Sequence, residues 1–316
     1  MKATLMKIQD IQPEMQKAFK RMPKINLEKT YARLLMNIFG RLFFSPKKNA
    51  GVTVTVKKIG EAEARIYIPN GDISGAGLLW IHGGGYIVGS AKMSELECSD
   101  HAIRLNSVVV SVEYRLAPKH PFPAAMDDCY AVWRWMVDNA KQLGVDPRRI
   151  AIAGQSAGGG LAAALCQKIL DLDAEQPVAQ CLYYPMLDDR TALDQDLTAV
   201  NHIGWDNRNN YFGWKSYMGQ LPGLPDVPQW SVPARREDLS GLPPAWIGVG
   251  DLDLFFEENK AYAKRLEQAG VSTETFIVDA APHGFDTLVP DAKDSKEFVA
   301  SLTHFLKTHL DINTSN

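Results

Sequence analysis

Eight short apolar runs rich in β-branched residues recur along the chain, at 52–56, 64–68, 77–81, 108–112, 150–153, 179–184, 245–249 and 274–278. Stretches with helical spacing separate most of the later runs, at about 94–105, 123–141, 157–172, 257–269 and 294–309. A strand that is followed by a helix and then another strand returns as a parallel neighbour. The order therefore predicts an α/β fold: a mostly parallel sheet of about eight strands with helices on both faces. Two segments break the alternation. Residues 1–48 read as helices without strands, and 188–235, rich in Trp, Asn, Pro and Gly, interrupts the pattern between two strands. The predicted division is a core of 49–187 and 236–316, with 1–48 and 188–235 folding together as a helical cap. Such a cap belongs over the end of the sheet where open α/β folds bind ligands.

Composition excludes several function classes. The 316 residues are 46% hydrophobic, enough for a large core. Lys and Arg number 34 against 37 Asp and Glu, a net charge of -3, and no basic run is dense enough for a nucleic-acid partner. Cys98, Cys129, Cys166 and Cys181 show no metal-ligand spacing. The amino terminus, "MKATLMKIQD", interrupts its apolar residues with Lys2 and Lys7 too early for a signal sequence, so the chain reads as cytoplasmic with free thiols. No apolar run reaches the length of a membrane span.

The chemistry concentrates at "IAIAGQSAGGGLAAAL", residues 150–165. A strand runs through Gly154-Gln155-Ser156-Ala157-Gly158 directly into an alanine-rich helix, so Ser156 must sit on a very tight turn with glycines where side chains would clash. A serine hydroxyl is a weak nucleophile until a base takes its proton, and that base needs an acid to fix its tautomer. In the order nucleophile, acid, base, the base belongs near the carboxy terminus. His283 in "APHGFD" follows a strand and fits; His82, His101, His120 and His202 lie too early, and His304 and His309 fall in the last helical stretch. The acid should also follow a strand, and "AWIGVGDLDLF" offers both Asp251 and Asp253, between which the residues alone do not choose. Attack on an ester carbonyl makes an oxyanion, best held by preorganised N–H donors. The bare backbone of "HGGG", His82 to Gly85, after the strand "GLLWI" provides such a loop, with the amide of Ala157 as its partner.

These residues resemble the bacterial hormone-sensitive-lipase-like carboxylesterases of the α/β-hydrolase fold. The resemblance covers roughly residues 50–310 and rests on "HGGGYIVG", "EYRLAPKHPFPAAMDD", "GQSAGGG", "DLF" and "HGF". It implies a triad of Ser156, Asp253 and His283, choosing Asp253 because the family's acid precedes a pair like "LF" and then acidic residues like Glu257 and Glu258. It further implies oxyanion donors at Gly84, Gly85 and Ala157, with Gly83 shaping the loop. His82 becomes a support, as do Gly154, Gln155 and Gly158 around the nucleophile, and Tyr114, Arg115 and Pro118 brace the scaffold below. The implied activity is hydrolysis of short- to medium-chain carboxylic esters, without metal or organic cofactor. Binding-only members of the fold typically lose the base and eliminating members lose the serine; this chain keeps both. Amide hydrolysis or acyl transfer stays open as an alternative. Two departures stand out. Gln155 replaces the family's usual acid before the nucleophile, which predicts a modest shift in pH profile. Asp279-Ala280 stands where many relatives have Pro-Gly. Trp205, Tyr211, Phe212 and Trp214 are expected to line an acyl or alcohol pocket. The resemblance also allows a homodimer through the strand after residue 270 and the last helix.

Overall fold

The structure is a computed structural model that describes residues 4–43 and 51–312. Its eight strands are β1 (Val52–Ile59), β2 (Ala62–Pro69), β3 (Gly77–Ile81), β4 (Val108–Glu113), β5 (Ile150–Gln155), β6 (Gln180–Tyr183), β7 (Ala245–Gly250) and β8 (Thr273–Val278). They form one sheet in the order β1-β2-β4-β3-β5-β6-β7-β8. β1 pairs antiparallel with β2, and β2 antiparallel with β4. From β4 through β8 every neighbouring pair is parallel.

The central strands read as unbroken apolar runs because both of their faces are covered. Successive side chains alternate between two cores. In β3, Leu79 and Ile81 join the core beneath helices Ala124–Asp138, Ala157–Asp171 and Phe256–Gln268, whereas Leu78 and Trp80 join the core beneath Glu95–Arg104 and Lys293–His309. β5 repeats the division, with Ile150 and Ile152 on one side and Ala151 and Ala153 on the other. Small residues at 151 and 153 leave room for Trp80, Tyr183 and Trp246 in the second core. The stretch 123–141 is two helices, broken at Asn139 into Ala124–Asp138 and Ala140–Leu143.

The segments outside the alternation touch one another. The Leu27 amide donates to Asn209 Oδ1 (3.0 Å), and Asn209 Nδ2 donates to the Ile25 carbonyl (3.0 Å). The Met6 amide donates to the Val200 carbonyl at 2.9 Å. Asp206 caps helix Asn207–Met218 by accepting from the Asn209 amide, so an acidic residue sets where this helix begins. Part of the amino-terminal segment packs elsewhere: Ile11, Met15 and Phe19 lie in the core under helix Lys293–His309. The expected boundary between 48 and 49 lies outside the described residues.

Candidate active site

Five neighbouring strands, β3, β5, β6, β7 and β8, send the loops at their carboxyl ends to one place, which is where a parallel sheet concentrates its functional groups. Ser156 follows β5 with φ 57° and ψ -121°, a conformation that costs an L residue energy. Its surroundings hold it there. The Ser156 amide donates to the Tyr183 carbonyl (2.9 Å), and its carbonyl accepts from the Gly160 and Met186 amides (3.0 Å each). The turn closes only because position 158 is glycine. A Cβ on Gly158 would stand 2.1 Å from the Ile81 carbonyl oxygen and 2.4 Å from that of His82. Gly154, at the end of β5, faces the carbonyl of Gly158 across the same contact.

Ser156 Oγ lies 2.9 Å from His283 Nε2, and His283 Nδ1 lies 2.6 Å from Asp253 Oδ2. A carboxylate only accepts, so Nδ1 carries the proton and Nε2 is left to accept from the serine. The other oxygen of Asp253 accepts from the Phe255 amide at 2.9 Å, and the residue is only 3% exposed. Asp251, the alternative acid, is exposed, and its carboxylate instead accepts from the amides of Ala280 and Ala281 in the loop that carries His283. That loop keeps a left-handed residue without a glycine, for Ala280 has φ 50°. His202, which sequence position seemed to exclude, comes from the segment 188–235 into electrostatic reach of Asp253, and burial holds it below the ordinary histidine value.

Beyond β3 the glycine loop is pinned from several sides. The Gly84 carbonyl accepts from the Ile87 and Val88 amides (3.1 and 3.0 Å), and Gly84 has φ 118°, a left-handed value that L side chains avoid. His82 Nδ1–H donates to the Gly83 carbonyl at 2.8 Å. Its ring stacks on Tyr114 at 4.2 Å, whose hydroxyl donates to the His82 carbonyl. Arg115 grips Asp128 with both its side chain and its amide, tying the segment after β4 to helix Ala124–Asp138. Ala157 is fully buried at the first position of helix Ala157–Asp171, where a helix leaves its amide without an intrahelical partner.

The four aromatics do not act together. The six-membered edge of Trp205 lies against the glycine loop: a Cβ on Gly85 would meet it at 2.4 Å, and the ring centroid is 6.5 Å from that of His283. Tyr211 and Phe212 are half-buried, and the Arg33 guanidinium covers Phe212 at 4.9 Å. Trp214 departs from expectation. It has no accessible surface and packs against the stacked rings of Tyr86 and Tyr217, because it lies on the inward face of helix Asn207–Met218 and so belongs to the core rather than to a pocket wall. Among the described residues no cluster of His, Cys, Asp or Glu has a metal-binding arrangement.

Comparison with known proteins identifies the fold and its family. A family model described as the alpha/beta hydrolase fold matches residues 78–287. Esterase LipI of Mycobacterium tuberculosis is 36% identical over 212 residues, 66% of this chain and 65% of that protein, so the match spans a little under two thirds of LipI. Carboxylesterase NlhH of the same organism is 36% identical over 231 residues, 69% of this chain and 70% of that protein. The solved structure of a bacterial heroin esterase superimposes with a TM-score of 0.88 at 33% identity, covering 96% of this chain and 99% of that one. The chain belongs to the α/β-hydrolase family, among its hormone-sensitive-lipase-like carboxylesterases.

Proposed function

We infer that Ser156, His283 and Asp253 hydrolyse short- to medium-chain carboxylic esters through an acyl-enzyme. The observation that carries this is the line from Ser156 Oγ through His283 to Asp253, with separations of 2.9 and 2.6 Å. His283 Nε2 takes the serine proton as Oγ attacks the ester carbonyl, and the cation so formed is stabilised by Asp253. The oxyanion forms between the glycine loop and the start of helix Ala157–Asp171, where the Gly84, Gly85 and Ala157 amides receive it. His283 then passes its proton to the leaving alcohol, and water repeats the sequence on the acyl-enzyme.

Trp205 supports the limit on chain length, since its ring closes one side of the space above Gly85 and His283. The stretch around Ile25 and Leu27 joins segment 188–235 in a cap, consistent with the bonds between them. Four buried free cysteines suit a reducing cytoplasm. β8, the sheet edge with Ile277 exposed, offers a pairing strand for a second copy.

A fluorophosphonate tests the assignment directly: it should add one adduct per chain, located by peptide mass on Ser156. Labelling elsewhere, or none, overturns it. With p-nitrophenyl esters from acetate to laurate, kcat/KM should peak among the short acyl chains. Trp205→Ala should move that peak toward longer chains by opening the space beside Gly85, and an unmoved peak would remove Trp205 from the pocket.

A further inference from the structure

Gln155 is a motif residue that the triad chemistry does not use, and the structure gives it a specific set of partners. Its side-chain amide has two hydrogens and directs them to two hydroxyls, Tyr184 Oη (2.5 Å) and Thr287 Oγ1 (2.8 Å). Each hydroxyl then donates to a carboxyl group. Tyr184 donates to Asp286 Oδ1 at 2.6 Å, and Thr287 to Glu97 Oε1 at 2.9 Å. The Tyr184 ring also meets the His283 imidazole edge-on, with centroids 4.7 Å apart. Three chain regions distant in sequence thus meet behind the base: the helix Glu95–Arg104, the residue following β6, and the short helix Phe285–Leu288 just after His283.

We propose that Asp286 and Glu97 supply from behind His283 the negative charge that position 155 lacks, and that Gln155 is the hub that keeps both aligned. They touch neither the nucleophile nor the reacting carbonyl and act through Tyr184, Thr287 and Gln155, so they are positioning residues. The inference rests on the triad reading above.

An amide suits position 155 because it donates twice. A carboxylate there would turn both hydroxyls toward itself and leave Asp286 and Glu97 without their donors, three acids confined together. Burial raises the Asp286 carboxyl, while its field and that of His283 favour each other. Burial, and then the nearby Asp286, push Glu97 up to about 7. The other titratable groups facing the pair are Tyr183 and Cys98, with Asp100 beyond Tyr183; Asp253 bonds the imidazole at Nδ1, and His202 lies within electrostatic reach of Asp253.

The test is the pH dependence of kcat/KM for p-nitrophenyl acetate and of the fluorophosphonate labelling rate, in wild type, Asp286→Asn, Glu97→Gln and Gln155→Glu. Removing the Asp286 charge destabilises the imidazolium, so the acid limb of Asp286→Asn should move down by about half to one pH unit. Glu97→Gln should move the limb down as well, by less than Asp286→Asn, because Glu97 reaches the base only through Thr287 and Gln155. Gln155→Glu should move the limb up and lower the melting temperature, although it restores the residue usual in the family. A purely structural role would lower melting temperatures and leave the limbs superimposable, and that result would overturn the proposal. Should Asp286→Asn fail to fold, the half-buried Glu97→Gln decides by itself. A wild-type protein that neither hydrolyses nor labels would instead refute the triad.

Discussion

Ser156→Ala should lower kcat for p-nitrophenyl esters by a factor on the order of 10^4 to 10^6, with the fold unchanged. The side-chain oxygen makes its hydrogen bond to His283, and the turn itself is held by backbone bonds that alanine keeps. Far-ultraviolet circular dichroism and the melting temperature should therefore match wild type while turnover vanishes; a variant with wild-type rates would sink the assignment. A second replacement separates chemistry from conformation. At φ 57° any L side chain is strained, at a cost of about 1–3 kcal/mol, and glycine is not. Ser156→Gly should be as inactive as Ser156→Ala yet melt at a higher temperature. A lower melting temperature for the glycine variant would mean that the turn stores no such strain.

Gly158→Ala should be among the most damaging single methyl groups in the molecule. The new carbon would lie within 2.1–2.4 Å of two carbonyl oxygens, Ile81 and His82, and neither can rotate away because both belong to the backbone leaving β3. The helix must lift from the sheet, which parts the Ala157 amide from the glycine loop. A loss of about 3 kcal/mol or more in stability follows from overpacking of this kind, and kcat/KM in whatever protein folds should fall at least about 10^2-fold with the oxyanion site misaligned. Gly51→Ala is the control, since its Cβ would meet only the end of Ile103 at an ordinary 3.5 Å. Equal melting temperatures and activities for the two variants would contradict the close approach.

What was legible in the sequence has physical reasons. β3, β4 and β5 could be read almost to the residue because both their faces are buried, so each strand is an almost unbroken apolar run, with only Ser111 interrupting β4. Ser156 was legible because a strand-to-helix turn this tight needs its glycines in consecutive places. Asp251 and Asp253 were indistinguishable on position, both following β7; exposure and direction separate them, and these arise only when the β8 loop packs alongside. Trp205 and Trp214 looked alike for a related reason. One precedes the Asp206 cap in a loop and the other lies on the inner face of the helix, a distinction of rotation that aromatic content does not carry. The partners of Gln155 lie at 97, 184, 286 and 287 and share no local pattern, so only the folded chain brings them together.

The placement of His283 after β8 has a consequence for the order in which the molecule fails. β8 is bonded on one side only and contributes mostly exposed or half-buried residues, which puts it among the elements that fray first. The nucleophile sits beside the centre of the sheet, on a strand with neighbours on both sides. Gentle heating or mild denaturant will thus part the base from the serine while most of the sheet still stands. Catalysis in this chain reports on the docking of a single peripheral ribbon, which must be in place before the base can meet the serine.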